Sequence, residues 1–482
     1  MNRTELLSSI HHLQLSKERL LQELEILDLD LKSQQAQYSR LLNDDTIVYR
    51  LPSELLSGIF MMCTTTRRAF TRTSLYTLPF QVVASHVSHH WREIALGTPL
   101  LWNTPTFTVR PSSHINGRII SQLEAHLERS GSCFLDISLD FQFSEELGDY
   151  CRLLAKHSRR WRRLSILSML EEGSEIHEML RNAEVPILEH LSLTLGRSSG
   201  RFRPRQELSS VIPSILPRPP CLSFVRLAGY ALGNLHPPTS SVTTLHLDGW
   251  AQYYLSHDQF KIILEGSPSL INLSLNQLCL YHSRDPFAIT KPTTLPSLRA
   301  LRIRGPCSPI SQLMSLLNSP QLDSITLGSI EFFDSQVMPT VRSLVLDDCE
   351  AIGQEIGKLV HSLPSLSELS IDETLPEIFL LVSPIDSEGK TTTKQMPWPQ
   401  LQTITIHDLQ SKDVADFCSM VSLRQAGGCS LRQINLNRKS RKVLQKQQRL
   451  EWLREKVIVE NAVIDAPWPN GLQYEDVNDL LQ

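Results

Sequence analysis

The chain has 482 residues, beyond the roughly 250–300 at which a single hydrophobic core stops growing, so several domains or an elongated repeat are expected. Hydrophobic residues make up 41%, enough to bury an interior, and 47 basic against 51 acidic side chains leave a net charge of −4, which excludes a chain-wide electrostatic footprint for nucleic acid. No run approaches the ~18 uninterrupted apolar residues of a membrane span, and the start Met1-Asn2-Arg3-Thr4-Glu5 lacks the apolar stretch of a secretory signal.

The first organised segment is a heptad helix within residues 1–45. Leu6, Ile10, Leu13, Lys17, Leu20, Leu24, Leu27, Leu31, Gln34, Tyr38 and Leu41 recur at alternating steps of four and three, with no glycine or proline between them. That is a coiled-coil pattern over a helix on the order of 55 Å long. Its seam must bury itself, either in a homodimer through residues 6–41 or by folding back on its own chain.

Residues 46–104 are short and dense in apolar groups. Pro52 suits a helix start, because its missing N–H would be unpaired there anyway. Leu55, Ile59 and Met62 then fall on one stripe, with Leu56, Phe60 and Cys63 beside it. A polar loop is expected over 64–74. A second helix is expected to carry Val82, Val83, Val87, Trp91, Ile94 and Leu96, and Pro99-Leu100-Leu101-Trp102 closes the segment.

The opening Leu51-Pro52-Ser53-Glu54-Leu55 with Ile59-Phe60, the centre Val87 with Trp91-Arg92, and the Leu100-Leu101-Trp102 close resemble an F-box. With a heptad helix before it, the segment is similar to the F-box-like families of mushroom-forming fungi. The resemblance implies docking on the Skp-type adaptor of a cullin–RING ubiquitin ligase, through Leu51, Pro52, Glu54, Leu55, Ile59, Val87 and Trp91.

Over residues 130–440 one phrase recurs about every 27 residues: P-x-L-x-x-L-x-L. Clear copies begin at Pro186, Pro268, Pro296, Pro320, Pro339, Pro364 and Pro399, and versions without the proline begin at Leu222, Val242 and Leu431. Leu135-Asp136-Ile137-Ser138-Leu139 and Trp161 through Ile166 are earlier candidates. Leu-x-Leu is strand alternation, and intervening segments such as Gln259–Leu264 and Ile310–Leu317 read as short amphipathic helices. Phrase and period resemble leucine-rich repeats. That resemblance implies an α/β solenoid, a curved parallel sheet with helices on its convex side, following the long helix and the small all-α F-box.

Look-alikes for catalysis are weak. Gly196-Arg197-Ser198-Ser199-Gly200 fits G-x-S-x-G, but Arg201-Phe202-Arg203-Pro204 after it is loop chemistry and not the helix a nucleophile elbow needs. His86, His89 and His90 lack a nearby Cys or paired carboxylate to complete a metal set. Nine cysteines without a Cys-x-x-Cys pair indicate neither a disulfide framework nor a zinc site, so small buried hydrophobes in a reducing compartment, cytoplasm or nucleus, are expected. No enzyme activity, cofactor, nucleic-acid partner or membrane association is expected.

Residues 441–482 read as a basic helix, fed by Arg438-Lys439 and serving as a solvated face or a nuclear signal, then an acidic cap or loose tail. A target protein is expected on the polar face of the sheet, through residues between the inward leucines: His246, Asp248, Asn272, Ser274, Asn276, Arg302, Arg304, Thr326, Asp347, Glu368, Asp372, Thr403 and His407. Arg302 and Arg304 share a strand, which suggests an acidic or phosphorylated target segment. The expected role is therefore a ligase substrate receptor, the competing one a protein-interaction scaffold outside any ligase.

Overall fold

Arg3–Asp44 forms one uninterrupted helix, α1, as the absence of glycine and proline predicts. Its seam stays in water, with Leu24 58% exposed. No described residue of this chain lies over the seam. The computed structural model describes residues 3–44, 46–68, 79–109, 116–141, 147–168, 174–196, 216, 219–249, 254–281, 291–305, 310–330, 336–349, 356–373, 379, 396–462 and 468. The chain is mixed α/β and divides into two compact units, residues 1–104 with 125–133 and residues 105–124 with 134–482.

In the first unit α1 is followed by α2 (Ser53–Arg68), α3 (Phe80–Ala84), α4 (His89–Leu96) and a 3-10 turn at Pro99–Leu101. The Pro52 carbonyl accepts the amides of Leu55 and Leu56, starting α2. That helix runs on to Arg68, where the sequence suggested a loop from 64; the Thr64 hydroxyl donates back to the Met61 carbonyl at 2.7 Å and is absorbed by the helix. The expected second helix is two. Ser88 caps the start of α4, its side chain accepting the Trp91 amide at 3.2 Å, and 85–88 form the break. Leu56, Phe60, Ala84, Ile94, Ala95, Leu101 and Trp102 make the core. Trp102 is fixed on three sides: its indole N–H donates to the Ala95 carbonyl at 2.7 Å, His126 meets its edge, and the Arg129 guanidinium lies over its face.

The second unit holds a 14-stranded sheet. Its strands are β1 (Thr106–Val109), β2 (Leu135–Phe141), β3 (Trp161–Ser168), β4 (His190–Leu195), β5 (Phe224–Gly229), β6 (Thr244–Asp248) and β7 (Asn272–Asn276). They continue as β8 (Ala300–Arg304), β9 (Ser324–Gly328), β10 (Ser343–Asp347), β11 (Glu368–Glu373), β12 (Thr403–Asp408), β13 (Gln433–Leu436) and β14 (Ile458–Asn461). Within this sheet each strand pairs in parallel with the sheet's next strand along the chain, and two small parallel pairs lie outside it, Tyr254–Ser256 with Cys279–Tyr281 and Thr293–Thr294 with Leu317–Asn318. Helices such as His257–Glu265, Ile310–Ser315 and Val414–Ala426 fall between strands, the first closed by a capping box from Ser256 and Gln259.

The repeated phrase has a local cause. In each copy the residue before the proline accepts the amide of the leucine three positions on: Ser267 from Leu270, Leu295 from Leu298, Ser319 from Leu322, Leu363 from Leu366, Trp398 from Leu401. The proline is therefore the second residue of a β-turn, where its fixed φ is favoured and its missing N–H costs nothing. The turn drops that leucine into the core, where Leu270, Leu298, Leu322, Leu366 and Leu401 are all buried. Over the middle of the sheet one carbonyl before the strand then accepts two amides of the following repeat: Ile271 from Arg299 and Ala300, Arg299 from Asp323 and Ser324. Turn, buried leucine and strand entry are one unit of sequence, which is why they recur together.

The sheet exceeds the expected span of 130–440 at both ends, through β1 and β14. The basic run 438–446 is a helix whose start is capped by Asn437, with Ser440 and Leu444 buried and Arg438, Lys439, Lys442 and Lys446 in water. Of the described cysteines Cys151, Cys349 and Cys418 are buried as expected, whereas Cys63, Cys133, Cys279 and Cys429 are half-buried and Cys221 is exposed. Burial, then the Glu175 carboxylate, pushes the Cys151 thiol up to about 12, which keeps it protonated. No helix among the described residues is long and apolar enough to cross a membrane.

Candidate functional site

Two surfaces carry the chemistry, one in each unit. The first is the outer stripe of α2. Positions 56 and 60 point inward and are nearly inaccessible, whereas Leu55 is 56% exposed, Met62 63%, and Ile59 is exposed as well. Burial of one helical stripe thus leaves a second apolar stripe in water. Pro52 and Glu54 are exposed at its start, Leu51 is half-buried, and Val87 stands exposed in the turn before α4. Trp91 differs from these: it is half-buried, its ring 4.9 Å from Phe60, and so belongs in part to the core. His86 lies in the same turn as Val87, His89 pairs with Glu93 at 3.4 Å, and His90 packs against Tyr49.

The second surface is the polar face of the sheet. The register sets Arg226, His246, Ser274, Arg302 and Thr326 side by side on β5 to β9, and Asp248, Asn276, Arg304, Gly328 and Asp347 in the next row. The residues named from the sequence do share one face, since successive residues of a strand alternate sides. Over the middle strands, however, that face is not open. His246, Asp248, Ser274, Asn276 and Thr326 are buried, and Arg302 is 8% exposed. Trp468 accounts for part of the cover: its ring centre lies 5.5 Å from the His246 ring and 4.7 Å from the Arg302 guanidinium.

The arginines are also engaged within the face. Arg226 donates from Nε to Asp248 at 2.5 Å with both side chains buried, and Arg302 donates from Nε to the Ser274 hydroxyl at 2.8 Å. Arg304 forms an ion pair with Asp347, two strands away. Gly328 on the strand between makes this possible, since a Cβ there would meet Arg304 Cγ at 2.7 Å. The middle of the face is thus not open as expected: Arg302 is held by Ser274 and lies over Trp468, and Arg304 pairs with Asp347. His246 stays neutral, its pKa held well below the usual imidazole range by burial first and then by Arg302, Arg226 and His190.

Asn272 donates to the Thr244 hydroxyl at 3.0 Å and is half-buried. Further along, Glu368 is exposed and Asp347, Thr403 and His407 are half-buried, so the face opens from β10 onward. Asp372 holds the register position beside His407, but its side chain lies outside the described residues, as does the 197–200 part of the G-x-S-x-G sequence. Sequence reasoning missed Arg226 and Trp468. The first sits at the same between-leucine position as His246; the second is an aromatic between two prolines in an acidic tail, a signal in itself. The chain matches no protein-family model and no curated protein.

Proposed function

We propose that this chain is the substrate-recognition subunit of a cullin–RING ubiquitin ligase, with residues 46–104 an F-box, the repeated sheet a leucine-rich repeat solenoid, and the polar face the site of the target. One observation carries the reading: α2 buries one apolar stripe and leaves Leu55, Ile59 and Met62 in water beside Pro52, an edge suited to a hydrophobic partner surface. The resemblance of those residues to an F-box names the partner as a Skp-type adaptor, with cullin behind it. Catalysis would belong to the assembly. The receptor holds a target lysine near the charged conjugating enzyme and so raises its effective concentration.

The test is co-purification of the adaptor with the full-length chain, compared with Leu51→Ala plus Pro52→Ala and with Leu55→Ala. Truncating a central apolar anchor typically costs about 2–4 kcal/mol, so capture should fall by tenfold or more. Equal capture by the variants would remove these residues from the contact. Absence of the adaptor from every preparation, with a target still captured, favours the scaffold outside a ligase.

A further inference from the structure

We infer that the polar face over β5 to β8 is a recognition site for a tryptophan-bearing peptide segment, and that this chain's own Trp468 occupies it in cis. The inference rests on the reading that this face receives a target, and it is independent of the adaptor contact. Three observations carry it.

The first is the occupant. Trp468 lies beyond the last strand, in the acidic tail, yet its ring sits against His246 of β6 and under the Arg302 guanidinium of β8. An indole offers the strongest quadrupole among side chains to a cation over its face, and the attraction grows where water is excluded. The second is what the indole extends. His190 stacks on Phe224 at 4.1 Å with the planes 10° apart, and Phe224 meets His246 edge-on at 4.8 Å. Trp468 completes a run of four rings across three successive strands, on the side of a sheet that ordinarily carries polar groups. The third is an unmet demand. Both ring nitrogens of His246 are fully buried without a hydrogen-bond partner among the described residues. A buried polar atom in that condition disfavours the closed state of a face with no ligand role and suits one that exchanges occupants.

The chemistry selects the partner. Arg226 pairs with Asp248, and the guanidinium that meets the occupant's ring face is that of Arg302. A ring that is flat and electron-rich suits contact with a guanidinium over its face and an imidazole beside it, and tryptophan has both properties. The chain's own copy of such a segment carries Asp465, Glu475 and Asp476 around Pro467-Trp468-Pro469. Prolines on both sides restrict the backbone of such a segment before it binds, which lowers the entropy lost on docking. A target presenting a tryptophan in this way competes with the tail.

A fluorescein-labelled peptide of residues 460–476 serves as the probe. It is titrated into the full-length chain and into full-length Trp468→Ala, with circular dichroism confirming the fold. A tethered occupant acts at an effective concentration in the millimolar range, so the peptide should bind the variant at least tenfold more tightly than the wild type. The same peptide carrying Trp468→Ala should lose binding, and adding Arg302→Ala to the chain variant should weaken it tenfold or more. Equal affinity for wild type and variant, equal binding of the two peptides, or no binding to a folded variant would each overturn the inference. Adaptor capture, measured on the same preparations, keeps the two readings apart: peptide discrimination without adaptor sinks only the ligase assignment, and adaptor capture without peptide discrimination sinks only this site.

Discussion

His246 is the side chain on which the polar face turns, because it is neutral by necessity. Burial, Arg302, Arg226 and His190 all oppose its protonation in the folded chain. An imidazole in the unfolded chain titrates near its ordinary value of about 6.5. Between that value and the lower folded one, the unfolded chain binds a proton that the folded chain does not. Stability contributed by this group is therefore fully present above about pH 6.5 and falls as the pH drops through the window, by at most ~1.4 kcal/mol per pH unit. Urea midpoints at pH 7.5 and 5.5 should show a smaller acid-side loss in His246→Gln than in the wild type; parallel losses would show that the ring does not titrate this way. The position of His246 on the face was legible in the sequence, since it lies between two inward leucines. Its burial was not, because the residue that helps cover it lies more than two hundred positions away, in the acidic tail. Arg304 teaches the same lesson at shorter range: the spacing places it on the face, but only the three-dimensional register shows that Gly328 opens a path to Asp347.

At the scale of elements, legibility followed how much of the physics is local. The β-turn behind P-x-L needs four consecutive residues, so every proline copy announced its turn and its strand. The outermost strands β1 and β14 carry no such phrase. Each pairs on one side only and closes no further repeat, so Thr106–Val109 and Ile458–Asn461 had no pattern to show. The heptad helix was legible throughout, but its partner was not, and its seam faces water along its length. A seam with knobs every seven residues fits holes of the same period, which a second copy of the chain would offer, and fold-back on this chain is the alternative. Proline at Leu24 would cost about 3 kcal/mol or more in that helix interior. Light scattering should then report the mass falling from a dimer to a single chain for Leu24→Pro, and an unchanged monomeric mass for both proteins would exclude the pairing.

For the large sheet as a whole, strand order equal to chain order has a consequence for how it comes apart. A stack in which each repeat touches only its neighbours behaves as a row of weakly coupled links, and its ends can open while the middle holds. The final strand, β14, pairs only with β13 and would be the first link to go. Trp468 changes that arithmetic, because it fastens the chain just beyond β14 to β6 and β8 in the middle of the row. It turns an open row into a closed circuit, so that loosening the end requires releasing the middle. Amide hydrogen exchange offers the measurement: in Trp468→Ala, protection should fall across β12 to β14, residues 403–461, while β2 to β4 keep theirs. Uniform exchange in the two proteins would mean that the terminal repeats hold on their own. The same indole that fills the recognition face would then also set the cooperativity of the array, and a target that displaces it would leave the C-terminal repeats free to breathe.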